Sequence, residues 1–332
     1  MLGGTGFLGY HAVEAALAGG HEVTVFARGG EAPAEGVEMI RGDRYGDLSE
    51  LEGREWDAAL DTFSDPEAVA STARLLSGSA GVYGFVSGIT NYHPRGPAVV
   101  DEDSPLRVSG EAEPDDPLQE RGLAKLGCER AVMEEFSGSA FIARPGVMVG
   151  PRDPTDRFSY WPARLARALV TDEEVLAPGD PERPVQFTDA RDLAGWMVAM
   201  LDSGGSGVYN AVGPGQEISL RRVLEACAEA ASETVHDEPG HCPQLIWVEE
   251  EFIKRRLADV PEERRPLWFP EPQIPFETVD SSKALAAGLT FRSALQTARQ
   301  TLRWMAGRGP DELAAGVPSE RELLRQWRGG GL

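Results

Sequence analysis

The chain opens MLGGTGFLG and continues YHAVEAALAGGHEVTVFARG, and no other stretch limits its fold as tightly. Gly3, Gly6 and Gly9 have the spacing GxxGxxG, which suits a tight turn, a close approach of backbone to a pyrophosphate, and close packing of a helix on a strand. Leu8, Ala12, Val13, Ala16 and Leu17 then follow helical spacing, Gly19 and Gly20 stop the helix, and EVTVF reads as a strand. Glycine turn, helix and strand together predict a dinucleotide site, with the amides at the helix start holding the phosphates. An ordinary turn would need the glycines alone. A loop of this type should follow a buried strand, yet only Met1 and Leu2 precede Gly3, so we expect either a very short first strand or, as the favoured reading, a native start upstream.

The strands and helices alternate from there. VEMIRGD, WDAALDT and GVYGFVSG read as buried strands, with helical DPEAVASTARLLSG between the last two. That order implies a parallel, doubly wound sheet whose ligands lie at the carboxyl ends of its strands. At the end of the second strand, where an acidic residue would accept bonds from the ribose of NAD, the chain has Ala27 and Arg28. Arginine pairs with a 2′-phosphate, so NADP is favoured, with NAD as the alternative. Asp43 is placed to accept a bond from the adenine amino group.

Composition removes several classes. With 332 residues and 41% hydrophobic content the chain is long enough for two lobes. No window approaches a membrane span and no signal peptide is evident, which makes the cytoplasm the default. Cys128, Cys227 and Cys242 are too scattered for a disulfide framework, and none forms a metal-spaced pair. A net charge of −22 argues against nucleic-acid or anionic-membrane partners. His236, His241 and Cys242 lack an obvious fourth ligand and read as surface, so no metal is expected.

PLQERGLAKLGCERAVMEEF has helical periodicity, which sets Arg121 and Lys125 on one face a turn apart. At this point the chain resembles an extended short-chain dehydrogenase/reductase of the NAD-dependent epimerase/dehydratase family. The resemblance rests on GGTGFLG, YGFVSGITNY, KLGCERAV, ARPGVMVGPRDPTDR, RPVQFTDARDLAGWMV with GVYNAVGP, and VDSSKALAAGLTFRSALQTARQTLRWM. More narrowly the chain is similar to an actinobacterial branch labelled reductases or epimerases. The resemblance implies a Rossmann domain over 1–150 plus about 181–213, and a smaller, mostly helical substrate lobe over about 151–180 plus 214–332.

It also implies roles. Gly3, Thr5, Gly6, Phe7, Leu8, Gly9, Arg28, Asp43, Ser87, Lys125, Pro145 and Val147 would hold the cofactor, while Arg121, Arg152, Tyr160, Trp161 and Gln186 would face a small-molecule substrate. Arg144 is expected to be structural, and dimers are expected to pair through helices that include the lysine-bearing one. In the family a Ser or Thr polarises the substrate oxygen, a Tyr exchanges its proton, and a Lys four residues later binds the ribose and lowers the tyrosine's pKa. Lys125 matches that lysine, but Arg121 stands where the tyrosine should be and Gly88 where the serine should be. Arginine stays protonated in proteins and cannot cycle a proton. Tyr92, in a loop expected to face the nicotinamide, is a candidate replacement.

Three functions follow from this pattern. The leading one is an NADP-dependent oxidoreductase or epimerase with an atypical site, acting on a small carbonyl or hydroxyl compound, such as a sugar or specialised metabolite. The second is a non-redox cyclase, isomerase or dehydratase that uses Arg121 on an anionic substrate. The third is a dinucleotide-binding protein without catalysis. A terminal helix capped by Ser319 and Glu322 completes the reading, with Trp268 and Phe269 as core or pocket residues.

Overall fold

Buried strands alternate with helices whose ends are written into the sequence. The computed structural model describes residues 1–110, 118–236, 243–258, 260, 278–306 and 319–330. Helix α1 (Phe7–Ala18) starts on Gly6 and stops at Gly19 and Gly20, where φ reaches 85°. Strands β1 (Thr24–Ala27), β2 (Glu38–Arg41) and β3 (Trp56–Asp61) follow. Asp65 then caps α2 (Pro66–Leu76), its carboxylate accepting from the Ala68 amide at 2.9 Å with Pro66 in the first turn. Next come β4 (Ala80–Val86), α3 (Gln119–Glu135), β5 (Ser139–Pro145), α4 (Ala190–Asp202) and β6 (Gly207–Ala211).

All pairings in this sheet are parallel: β1 with β2, β3 with β4, β4 with β5, and β5 with β6. Leu2 joins the two halves, bridging Phe26 in β1 and Asp61 in β3, with its amide donating to the Leu60 carbonyl at 2.8 Å. The strand order is therefore β2, β1, the Leu2 segment, β3, β4, β5, β6. The chain leaves Leu2 toward one edge and later returns to build toward the other, so the glycine turn after Leu2 sits at the switch point of the sheet.

Both faces are covered, which makes the fold a doubly wound α/β sheet. α1 and α4 pack together, and Val13, Ala16, Val23, Val25 and Val198 form one core. On the other face, with α2 and α3, lie Phe26, Ile40, Val69, Tyr83, Phe85, Cys128 and Val132. Val25 and Phe26 enter different cores because successive strand side chains point to opposite faces. Each large buried side chain, such as Phe85 or Phe141, stabilises this arrangement by roughly 1.5–3 kcal/mol.

The chain divides into two compact units. The first comprises Met1–Val147, Ala190–Gly215 and Pro275–Phe291, the second Met148–Asp189, Gln216–Ile274 and Arg292–Leu332. These bounds differ from the expected ones in two places. Residues 181–189 belong to the second unit, where Thr188–Asp189 pairs with Met148–Val149. Residues 278–291 rejoin the first, where Thr278–Val279 pairs with Val99–Val100 and the Ser281 hydroxyl bridges the Val212 amide and carbonyl.

The second unit is mostly helical. Helices Tyr160–Thr171, Leu220–His236 and Ala294–Trp304 pack on one another. A second core gathers Leu176, Val248, Phe252, Ile253, Leu323 and Leu324 around the paired strands Val175–Pro178 and Leu245–Val248. The terminal helix Glu320–Arg328 forms as expected, but its capping box does not: Ser319 makes no side-chain cap, and Glu322 accepts instead from Arg325 and Gln326. The capping box lies earlier, at Ser293 and Gln296. His241, Cys242, Trp268 and Phe269 lie outside the described residues, as does the side chain of His236. Cys128 and Cys227 are free and buried. Among the described residues no helix is long and apolar enough to cross a membrane, and no group of metal-ligating side chains occurs.

Candidate functional site

The glycines of the loop have different physical reasons. Gly3 has φ 92°, and a Cβ there would lie 2.5 Å from the Thr62 hydroxyl. A Cβ on Gly9 would lie 2.3 Å from the Gly3 carbonyl oxygen and 2.8 Å from the Gly4 Cα, so α1 can reach the loop only with glycine there. Gly6 differs: its φ is −80° and the nearest protein atom to an added Cβ is 3.8 Å away. Nothing in the protein requires glycine at position 6. A ligand passing over the backbone would require it. No side chain caps α1, so the first amides of the helix, at Phe7, Leu8 and Gly9, stay open to an anion next to exposed Thr5. The residues present fit a dinucleotide pyrophosphate.

Lys125 comes to the carboxyl ends of the neighbouring strands. Its Nζ donates to the Phe63 carbonyl at 2.8 Å and the Val86 carbonyl at 2.7 Å, and lies 5.0 Å from the centre of the Phe85 ring. Burial lowers its pKa to about 8; Cys128, Asp61 and Glu129 oppose that shift, and the charge of Arg121 adds to it. Arg121, one turn earlier, is exposed and makes no hydrogen bond or ion pair with a described residue.

Tyr92 does not lie in an open loop. It is 1% exposed, its hydroxyl donates to Asn210 Oδ1 at 2.7 Å and accepts from Arg144 Nη1 at 3.0 Å, and burial raises its pKa. This placement corrects the expectation that it faces the nicotinamide. Ser87 is buried too, its Oγ accepting from Asn91 Nδ2 at 2.8 Å. Asn91 also donates to Glu129 at 2.6 Å, and Glu129 pairs with Arg144 through bonds of 2.9 and 2.6 Å. Arg144 is thus structural, as its sequence context suggested. Beside Gly88 there is room for a side chain: a Cβ would meet nothing closer than the Thr90 hydroxyl at 3.6 Å and the Pro145 carbonyl at 3.7 Å. Pro145 is buried at the end of β5, and Val147 is half-buried just beyond it.

Past β1 and β2 the loops carry the remaining expected cofactor residues. Arg28 and Asp43 are both exposed, and Gly30 approaches Thr5 in the glycine loop. Arg28 and Asp43 act electrostatically on the same side chain, exposed Tyr45, which packs edge-on against Phe63 at 5.7 Å. Beneath them is a cluster that sequence reading missed. Arg44 grips buried Asp61 with two bonds of 2.9 and 2.8 Å, Tyr83 donates to the same carboxylate at 2.6 Å, and the Phe63 amide donates at 2.9 Å. Against the cost of burial, Arg44 and these bonds hold the Asp61 pKa below the usual carboxylate range. The signal was a carboxylate ending the apolar run WDAALD.

The expected substrate residues all lie in the second unit, apart from Arg121. Arg152 is exposed with φ 70°, and Gln186 is half-buried. Tyr160 and Trp161 are core residues: the Tyr160 hydroxyl donates to Glu320, and the two rings meet edge-on at 5.3 Å. Burial and the Glu320 carboxylate raise the Tyr160 pKa well above its ordinary value.

The fold agrees with the comparisons. Residues 1–81 match the NAD dependent epimerase/dehydratase family. The resemblance read from the sequence is borne out over that stretch. No curated protein matches the chain in sequence. Among solved structures, the chain is similar to the UDP-glucose 4-epimerase of Thermus thermophilus in complex with NAD, at 19% identity and TM-score 0.61 over 92% of this chain and 98% of that one. It is similar to the UDP-glucuronic acid 4-epimerase of Bacillus cereus in complex with NAD, at 17% identity and TM-score 0.58 over 96% and 98%. A third is the UDP-glucose 4-epimerase of Thermotoga maritima with UDP-glucose, at 16% identity and TM-score 0.61 over 92% and 97%. At these identities the likeness is one of fold.

Proposed function

We propose that the chain is a nicotinamide-dinucleotide-dependent enzyme of the epimerase/dehydratase type, acting on a hydroxyl or carbonyl group of a sugar nucleotide or a similar small compound in the cytoplasm. The observation that carries this reading is the placement of Lys125, whose Nζ is held at the carboxyl ends of β3 and β4 in the same sheet whose switch point carries the uncapped glycine loop. When bound, the dinucleotide would supply or accept a hydride. The chain's own residues do the rest. The α1 amides would hold the pyrophosphate, Asp43 the adenine, and Lys125 the ribose next to the nicotinamide. Arg28 favours a 2′-phosphate and hence NADP. The substrate class follows the neighbours in complex with UDP-sugars, and pairing of two copies through α3 belongs to the same reading.

The active site is atypical in this reading. With Gly88 lacking a side chain, the Thr90 hydroxyl is the nearest group that could polarise a substrate oxygen, and Arg121 would hold an anionic oxygen by its fixed fork. The test follows product formation by chromatography together with reduced-cofactor absorbance, with NADP(H) or NAD(H), across a panel of UDP-sugars and their keto forms, because an epimerase returns its hydride and gives no net change in absorbance. Turnover abolished in Lys125→Ala supports the reading; tight cofactor binding without turnover across the panel counts against it.

A second reading, in which the cofactor is bound but not consumed, is favoured by Arg121, which has no partner among the described residues. Conversion of an anionic substrate with no transient reduction of the bound cofactor in a single turnover, impaired in Arg121→Lys, would select it.

A further inference from the structure

In the family resembled, a tyrosine exchanges the substrate's proton, and this chain offers no tyrosine in that place. Arg121 carries a guanidinium, which offers only N–H donors. Tyr92 has its hydroxyl committed to Asn210 and Arg144. Ser87 is buried, with its Oγ accepting from Asn91 Nδ2. Among these groups Lys125 differs, and the difference lies in how its hydrogens are counted.

An ammonium has three N–H bonds, whereas a neutral amine has two and a lone pair. The two carbonyls at Lys125, Phe63 at 2.8 Å and Val86 at 2.7 Å, satisfy both hydrogens of the neutral amine. In the charged form the same two bonds persist and a third N–H points away from both carbonyls. The neutral amine therefore leaves no N–H unpaired, whereas the charged form keeps one buried N–H that a ligand oxygen, a ribose hydroxyl or the substrate's, would satisfy, and Nζ need not move between the two. Among the described residues no carboxylate pairs with it directly, although Asp61 and Glu129 act on it from a distance. Asp61 on β3 is committed to Arg44, and Glu129 on α3 is committed to Arg144. Cys128 and Arg121 are the other ionisable groups that act on it, and burial holds the Cys128 thiol protonated, at a pKa of about 12.

We propose that the side-chain amine of Lys125 is itself the group that gives a proton to, and takes one from, the substrate oxygen. The inference rests on the enzyme reading above. In the reducing direction the dinucleotide, when bound, would supply a hydride to the carbonyl carbon. The carbonyl oxygen forms an O–H bond as one N–H bond of the Lys125 ammonium breaks. The neutral amine that remains keeps its two hydrogens on Phe63 and Val86, and solvent returns the proton. Oxidation runs the same transfer in reverse.

The composition of the chain fits this role. It has 32 lysines and arginines, of which the lysines are Lys125, Lys254 and Lys283. Lys254 pairs with Glu250 and Glu251, and Lys283 lies over the Tyr209 ring. A chain that uses arginine for almost every cation keeps, at this buried position, the cation that can release its proton. Burial and Arg121 push the amine toward release at about pH 8.

Three lysines make the test direct. The full chain, labelled with 15N-lysine, is titrated by NMR without ligand and with NADP, and Lys254→Arg and Lys283→Arg assign the other two signals. The expected result is a Lys125 amine that titrates near pH 8, matched by a reductive kcat/KM that falls through the same pH. Lys125→Arg keeps the charge but should lower turnover by roughly 100-fold or more. A Lys125 amine titrating at its ordinary 10.5, or a pH profile that ignores its midpoint, overturns the inference while turnover leaves the enzyme reading standing. NADP binding without turnover across the UDP-sugar panel removes the enzyme reading, and this inference with it. The titration needs no variant at position 125, so a misfolded Lys125→Arg does not affect it.

Discussion

Two glycines three residues apart separate folding from binding. Gly9→Ala places a Cβ 2.3 Å from the Gly3 carbonyl, so we expect a loss of roughly 1–3 kcal/mol in urea unfolding together with loss of cofactor binding. Gly6→Ala meets no protein atom closer than 3.8 Å and keeps an ordinary φ of −80°, so the same unfolding curve should stay within about 1 kcal/mol of the parent. Its dinucleotide affinity, by titration calorimetry, should still fall about tenfold or more, which is about 1.4 kcal/mol. Tyr92→Phe answers the other residue-level question. It should cost about 1–3 kcal/mol by leaving Asn210 and Arg144 short of a partner, and it should leave kcat far above the roughly 100-fold loss that removal of a general acid gives.

At the scale of elements, α3 is positioned by what lies one turn past Lys125. Glu129 ties the helix to β5 through Arg144 and to the turn after β4 through Asn91. Glu129→Ala leaves Arg144 buried without its counter-ion, and we expect about 3–5 kcal/mol of destabilisation by urea unfolding. Elements were the most legible part of the sequence. Local signals were enough for α1, with its closing glycines, and for α2, with Asp65 and Pro66 at its start. Partners far along the chain were not legible. Tyr92 is buried because Asn210 accepts its hydroxyl from 118 residues away, and Tyr160 is fixed by Glu320 from 160 away. Ser319 and Glu322 carry a capping pattern, but Arg325 and Gln326 offer Glu322 charged and amide donors that the Ser319 backbone does not match.

For the whole molecule, the buried lysine links stability to pH. Its pKa falls from 10.5 to about 8 on folding, so between those values the unfolded chain holds more protons and stability must rise with pH. Measured as the difference between the parent and Lys125→Met, which cancels the tyrosines titrating in the same range, the rise should reach about 3 kcal/mol across that window. A flat difference would mean that the amine is solvated. The site was legible in the sequence where it rests on backbone geometry, at the glycine loop, and on one spacing, which placed Lys125 in its helix. The Arg44–Asp61–Tyr83 cluster and the fate of Tyr92 depend on how strands β3, β4 and β6 come together, which no local pattern encodes.

The glycine loop and Lys125 should together form one dinucleotide site. Calorimetric titration of the full chain with NADP and NAD, repeated on Gly6→Ala and Lys125→Ala, tests it most directly. We expect saturable binding of one dinucleotide per chain, tighter for NADP and weakened about tenfold or more in each variant. Failure of the parent chain to bind either dinucleotide at millimolar concentration, or binding that both variants leave unchanged, would contradict it.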